Sequence, residues 1–278
     1  MSIQVINISK TYGHEKALDN VSFEINTGQI AGFIGPNGAG KSTMMKIITG
    51  FIPQTSGQVL VNDFDVMEHS LEVKKNIGYL PENNPLYLDM YVVEYLKFVA
   101  GVYKLGKKTD SRIKDIIFQT GLEVEQKKKI GALSKGYRQR VGLAQVLIHD
   151  PKVLILDEPT AGLDPNQIIE IRNLISEAGK EKTVMLSTHI MQEVKAICNR
   201  IIIINKGRII ADDLTKNIYS HSKEKYQTVI VEFNTNIEPE KLKNIPGVDK
   251  VAKLEGNNWL IQSKLDIDIR TNIFNFAV

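Results

Sequence analysis

Gly35-Pro36-Asn37-Gly38-Ala39-Gly40-Lys41-Ser42 decides how the rest of this chain is read. It fits the phosphate-loop pattern G-x-x-x-x-G-K-[ST] at every fixed position, and its flanks agree. The apolar run 30–34 precedes it as a strand, and 42–49 follows with helical character. Glycines let the backbone bend around an anion so that successive N–H groups and a helix N-terminus point at it. Gly35 to Ser42, with Thr43 next in line, are therefore the candidate phosphate cradle. Lys41 brings a point charge to the outer phosphates, and Ser42 offers a hydroxyl to Mg²⁺.

A second acidic centre follows in Val153-Leu154-Ile155-Leu156-Asp157-Glu158. Four apolar residues predict a buried strand ending in two carboxylates, where strand ends of open α/β sheets hold ligands. Asp157 is expected to hold Mg²⁺ through its water shell. Glu158 is expected to point the opposite way across the strand, free to orient water.

Working outward, short β-branched runs alternate with helical patterns, which predicts an α/β fold with a largely parallel sheet. Strands are expected over 2–7, 21–25, 30–34, 59–61, 153–157, 183–187 and 200–204. Asn205-Lys206-Gly207 reads as a hairpin turn into a strand over 208–211. Residues 85–150 carry helical spacing and no convincing strand, and read as a helical subdomain inserted in a domain spanning 1–215. The polar stretch 215–227 reads as a linker to an accessory domain at 228–278. There a strand (228–233), a helix (239–243), strands near 248–254 and 259–262 and a helix over 266–278 give a β-α-β-β-α order. That is a small α+β ferredoxin-like unit lacking its final strand. Either the chain is shortened or the strand comes from elsewhere.

Composition excludes more than it selects. With 278 residues, 42% apolar and 24% charged, the chain is long enough for one large and one smaller domain and is neither disordered nor collagen-like. A net charge of +3, from 35 Lys+Arg against 32 Asp+Glu, gives no case for nucleic-acid binding. The single cysteine, Cys198, forbids an internal disulfide and reads as a buried hydrophobe suited to a reducing cytosol. No secretory signal is visible at the N-terminus, and no apolar run approaches the roughly 20 residues that cross a bilayer. Work at a membrane would need another chain to cross it.

Several further motifs carry a resemblance. Leu133-Ser134-Lys135-Gly136-Tyr137-Arg138-Gln139-Arg140 resembles the signature of ATP-binding-cassette (ABC) ATPases, Ala161-Gly162-Leu163-Asp164 their D-loop, His189 their switch histidine and Tyr12 their adenine-stacking aromatic. With the phosphate loop and the Asp157-Glu158 pair, these occur in the family's order over about 1–215. The resemblance implies an ATPase of the P-loop NTPase fold that uses ATP and Mg²⁺. Two cassettes, identical or different, meet head to tail, and Ser134 and the N–H of Gly136 cap the ATP held by the partner's phosphate loop. Glu158 becomes the general base or water-orienting group, His189 a γ-phosphate contact, and Lys41 a neutraliser of transition-state charge. The other histidines, His14, His69, His149 and His221, are taken as structural. Two positions depart from the family's pattern: Glu82 stands where glutamine is usual, as an alternative Mg²⁺ contact, and Lys135 and Tyr137 replace the commonest signature residues.

The fragment Ile77-Gly78-Tyr79-Leu80-Pro81-Glu82 and its continuation to Leu105 is similar to the ABC-2-type exporter subclass, and within it to gliding-motility-associated ATP-binding subunits of Bacteroidetes-like bacteria. That resemblance implies a bacterial subunit at the cytoplasmic face of the cell membrane, working with a separate permease. Leu86, Tyr87, Leu88, Met90 and Tyr91 are docking candidates. Lys127-Lys128-Lys129 reads as a solvated helix face, with attraction of ATP or lipid headgroups as the alternative. Two other functions stand beside the exporter: a soluble cassette ATPase acting on ribosomes or DNA, and a low-turnover regulatory switch.

Overall fold

The segments IAGFI, VLILD and TVMLST are buried at every position, as strands covered on both faces must be. In the computed structural model, which describes residues 1–217, 226–235, 237–254, 256–264 and 268–277, they form the centre of the first of two compact units, Met1–Asn217 and Ile218–Val278. The first unit runs β1 (Ile3–Tyr12), β2 (Glu15–Ile25), β3 (Ile30–Ile34), α1 (Lys41–Ile48), β4 (Ser56–Val61), β5 (Phe64–Asp65), α2 (Ser70–Asn76) and β6 (Ile77–Leu80). It continues with α3 (Val92–Val102), α4 (Thr109–Gln119), α5 (Lys135–Leu147), β7 (Val153–Asp157), α6 (Pro165–Ala178), β8 (Thr183–Thr188), α7 (Met191–Ile197), β9 (Arg200–Asn205) and β10 (Arg208–Leu214).

These strands make two sheets. The six-stranded sheet has the order β10-β9-β3-β8-β7-β6, parallel except for the β9–β10 hairpin. Lys206 and Gly207 both have positive φ, as the tight turn read from Asn205-Lys206-Gly207 requires. The other sheet, β2-β1-β4-β5, is wholly antiparallel, so the expectation of a largely parallel architecture holds for only one layer. Strands β1 and β2 also run further than expected, to Tyr12 and from Glu15. Register shifts between Val5 and Thr11 break the alternation that would have announced them. The short β5 and β6 have no counterpart among the expected strands.

Helix α1 is buried through Met44, Met45, Ile47 and Ile48, which join residues of both sheets in one continuous core. Ile47→Ala, at a fully buried position, is expected to cost about 2–5 kcal/mol in unfolding free energy, measured by chemical denaturation. Between β6 and β7 lie α3, α4 and α5. Lys127, Lys128 and Lys129 are exposed there, but they sit in the turn after α4 and not on a helix face, and Lys128 pairs with Glu125 at 2.9 Å.

His149 lies behind α5, its ring stacked on Tyr103 at 3.8 Å. Its Nε2 donates to the Ile77 carbonyl at 3.0 Å, so the proton is on that nitrogen. Burial pushes the imidazole down to about 4 from its ordinary 6.5. The unfolded chain therefore takes up a proton near pH 6.5 that the folded chain refuses until about 4, and stability falls as pH drops through that window. His149→Gln is expected to flatten this dependence of the urea midpoint on pH.

The second unit holds β11 (Tyr226–Glu232), α8 (Pro239–Lys243), β12 (Val248–Lys253), β13 (Asn258–Lys264) and α9 (Arg270–Ala277). Its antiparallel sheet has the order β11-β13-β12, around a core that includes Trp259, Leu242, Ile261 and Ile273. Most of the expected linker, residues 218–225 with His221, and positions 266, 267 and 278 of the expected last helix lie outside the described residues. Among the described residues, no helix is long and apolar enough to cross a membrane.

Candidate active site

Parallel register brings four distant loops to one sheet edge. Ile34 at the end of β3 pairs with Thr188 at the end of β8, Ser187 pairs with Asp157 of β7, and Leu156 pairs with Leu80 of β6. The phosphate loop, His189, Glu158 and Glu82 therefore all leave the sheet on the same side, at the carboxyl ends where such sheets hold ligands. A cavity of about 370 Å³ opens there, lined by Asn37, Gly38, Ala39, Lys41, Ser42, Thr43, Glu82, Glu158, Ala161 and His189.

The phosphate loop keeps its shape for steric reasons. A Cβ on Gly35 would lie 2.3 Å from the Ile204 carbonyl oxygen, and Gly40 combines φ +106° with a flank where a Cβ would lie 2.7 Å from the Ala17 carbonyl oxygen. Gly40 is the N-cap of α1 and has no side chain to cap it, so first-turn N–H groups are left for an acceptor from outside the helix. From outside, the β9–β10 turn braces the loop: the N–H of Gly207 donates to the Ala39 carbonyl at 3.0 Å. Lys41 is buried, and its ammonium donates to the carbonyls of Gly35 at 2.7 Å and Pro36 at 3.3 Å. The same ammonium stands 3.7 Å from Glu158 Oε1. Its charge is thus fixed in place over the loop.

Glu158 is not part of β7. It follows the strand in a left-handed conformation, φ +47°, so strand alternation does not set its direction as expected. The Ser187 hydroxyl instead holds the junction: it accepts from the N–H of Glu158 at 3.0 Å and donates to Asp157 Oδ1. Both carboxylate oxygens of Glu158 lie 3.1 Å from Nδ1 of His189, whose side chain is about half exposed at the rim. A buried carboxylate, a histidine and an ammonium thus meet in one cavity, a set able to orient water and to neutralise developing charge.

Among the lining residues Lys41 is the permanent cation, against Glu82 and Glu158. A polyphosphate there would need further positive charge, and the hard oxygens of Ser42, Glu82 and Asp157 suit Mg²⁺, which keeps several waters and binds through few carboxylates. Asp157 lies behind the lining, buried and engaged by Ser187.

The remaining candidates are elsewhere. Tyr12 is half exposed at the end of β1, with Lys10 Nζ 5.0 Å from its ring centre. Ser134 caps α5, accepting from the N–H of Tyr137 at 3.4 Å, and Gly136 is buried against Gln167 of α6. Neither lines the cavity with Lys41. The sequence reading missed Ser187's double role and the contact of Gln139 Nε2 with the Pro159 carbonyl at 2.7 Å, because the partners are far apart in the chain.

A family model described as "ABC transporter" matches residues 18–161. The bacitracin transport ATP-binding protein BcrA of Bacillus licheniformis is 35% identical over 76% of this chain and 69% of its own. The ABC transporter ATP-binding protein NatA of Bacillus subtilis is 36% identical over 75% and 86%, and the lantibiotic transport ATP-binding protein SrtF of Streptococcus pyogenes 38% over 76% and 90%. Among solved structures, cbiO1 from Clostridium perfringens, part of the ABC transporter complex cbiONQ, aligns with TM-score 0.73 at 30% identity, over 80% of this chain and 91% of that one. The dimeric ATP-binding cassette MJ0796 bound to ADP and Pi aligns with TM-score 0.70 at 26% identity, over 77% and 98%.

Proposed function

Because the chain belongs to the ABC transporter family of ATP-binding subunits, we propose that it is the ATPase that drives a bacterial membrane exporter through a separate permease. One observation carries the hydrolytic part: Lys41, Glu158 and His189 share a single cavity beside the phosphate loop. In this reading the loop and Lys41 hold the phosphates, Glu158 orients water and takes its proton, and His189 contacts the γ-phosphate. Bound through Ser42, Asp157 and Glu82, Mg²⁺ would supply charge neutralisation on the phosphates. Tyr12 would stack on the adenine. Ser134 and Gly136 would act on the nucleotide of a second cassette, identical or different, a role suited to their place outside this chain's own cavity lining and to the exposure of Ser134.

Export is supported by relatives whose names record bacitracin and lantibiotic transport. The narrower reading, an ABC-2-type and gliding-motility-associated subunit at the cytoplasmic membrane face, rests on the fragment 77–105. There Tyr87, Leu88 and Tyr91 are exposed, while Leu86 and Met90 are half-buried. We assign the helices within 85–150 to an inserted helical subdomain, and the β11-β13-β12 unit to a ferredoxin-like accessory domain.

A mild-detergent pull-down from native membranes, read by mass spectrometry, tests the assignment. A stoichiometric polytopic membrane protein is the expected companion. Ribosomal or DNA-repair proteins in its place would overturn export and leave the nucleotide chemistry standing.

A further inference from the structure

A fourth carboxylate, beyond Glu82, Asp157 and Glu158, lies between the loops that carry Glu158 and His189. Glu193, on α7, is only 4% exposed and does not line the cavity. One of its oxygens accepts from Thr160 Oγ1 at 2.6 Å and the other from Thr188 Oγ1 at 2.8 Å. Both threonines are buried too. Thr188 Oγ1 in turn accepts from the N–H of Ile190 at 3.0 Å, so the residues on both sides of His189 are tied to one hydroxyl.

These contacts close a ring. From Glu158 the chain runs two residues to Thr160, crosses Glu193 to Thr188, and reaches His189, whose Nδ1 returns to Glu158 at 3.1 Å. The base of the ring is closely packed. Gly32 of β3 lets α7 press against the sheet, since a Cβ there would meet Val194 Cγ1 at 2.6 Å. We infer that Glu193 is a positioning residue for hydrolysis: it sets the separation of Glu158 and His189 by clamping both their loops from behind. The inference rests on the roles proposed above for those two residues.

The chemistry suits a clamp. Each threonine has one hydroxyl proton, and both protons are committed to the same buried carboxylate in charge-assisted hydrogen bonds. Without that carboxylate, two buried hydroxyls must find other acceptors, and the loops move with them. A displacement of about 1 Å between groups acting on one water is enough to cost about 10²-fold in rate. Nucleotide affinity should be spared, because Lys41 and the phosphate loop are held through the Gly35 and Pro36 carbonyls and the β9–β10 turn, whereas the hydrogen bonds of Glu193 go to Thr160 and Thr188.

The test is steady-state ATP hydrolysis with equilibrium ADP binding for wild type, E193A, E193Q, T160V and E158Q. E193A is expected to lower kcat by about 10–100-fold with KM for ATP and ADP affinity within about twofold. T160V, which removes one arm, should fall between E193A and wild type. E193Q, which keeps the side-chain shape and an acceptor for one of the two hydroxyls, should recover part of kcat and, like T160V, fall between E193A and wild type. An E193A enzyme with wild-type kcat overturns the inference, as does loss of kcat and ADP affinity together in both E193A and T160V. An E158Q enzyme hydrolysing at the wild-type rate would instead bring down the reading of the site beneath it.

Discussion

Replacing Glu158 with glutamine is expected to slow ATP hydrolysis by about 10²–10⁴-fold while leaving nucleotide affinity intact. Glutamine keeps the size of the side chain and one acceptor for His189, so the 3.1 Å contact need not break. The left-handed backbone at φ +47° is held by Ser187 through the N–H, which the substitution does not touch. What disappears is a base able to take a proton from water. Phosphate release measures the loss, and light scattering with ATP should show accumulation of a two-copy species that wild type dissolves by turnover. Wild-type turnover no faster than the variant would favour the low-turnover switch over a transport motor.

Removing the ammonium of Lys41 should be as severe, but at the binding step. Lys41→Ala leaves the Gly35 and Pro36 carbonyls without their donor and Glu158 without its neighbouring cation at 3.7 Å. A buried charged hydrogen-bonding partner is worth about 2–5 kcal/mol at an interface, or about 30-fold to several thousand-fold in affinity for ATP. Titration with a fluorescent ATP analogue checks this. Affinity within threefold of wild type would mean that the loop N–H groups hold the phosphates unaided, and the role of Lys41 would have to be withdrawn.

Much of this arrangement is legible in the amino-acid sequence. The phosphate loop announces itself because three glycines and a lysine meet backbone demands that few other residues meet. Val153-Leu154-Ile155-Leu156-Asp157 reads as a buried strand because the run is apolar as far as its terminal carboxylate and too short for a buried helix. Legibility fails where meaning lies in pairing across the chain. Strand β8 sits between β3 and β7, and no local pattern states that order. Asn7 and Asn20, both at positive φ, belong to an irregular β1–β2 pair whose alternation is broken, so half of the antiparallel sheet looks like loop. Glu158 shows a different failure: its direction comes from one left-handed residue, and strand periodicity cannot foresee it. Glu193 gives no signal at all, since a glutamate on a short helix reads as solvated until Thr160 and Thr188 are seen on either side of it.

The position of β3 also governs when activity is born on the ribosome. Its two neighbours are β8 and β9, both synthesised long after it, so the strand that carries the phosphate loop has no lateral partner while most of the unit is being made. The β1–β2 pair can close early, but pairings across such sequence distance are slow and leave apolar edges waiting. A nascent chain arrested before Thr183 should therefore be unable to retain nucleotide, whereas one extended beyond Asn205 should do so. Until β8 and β9 arrive, IAGFI is an unpaired apolar segment of the kind that chaperones are expected to shield.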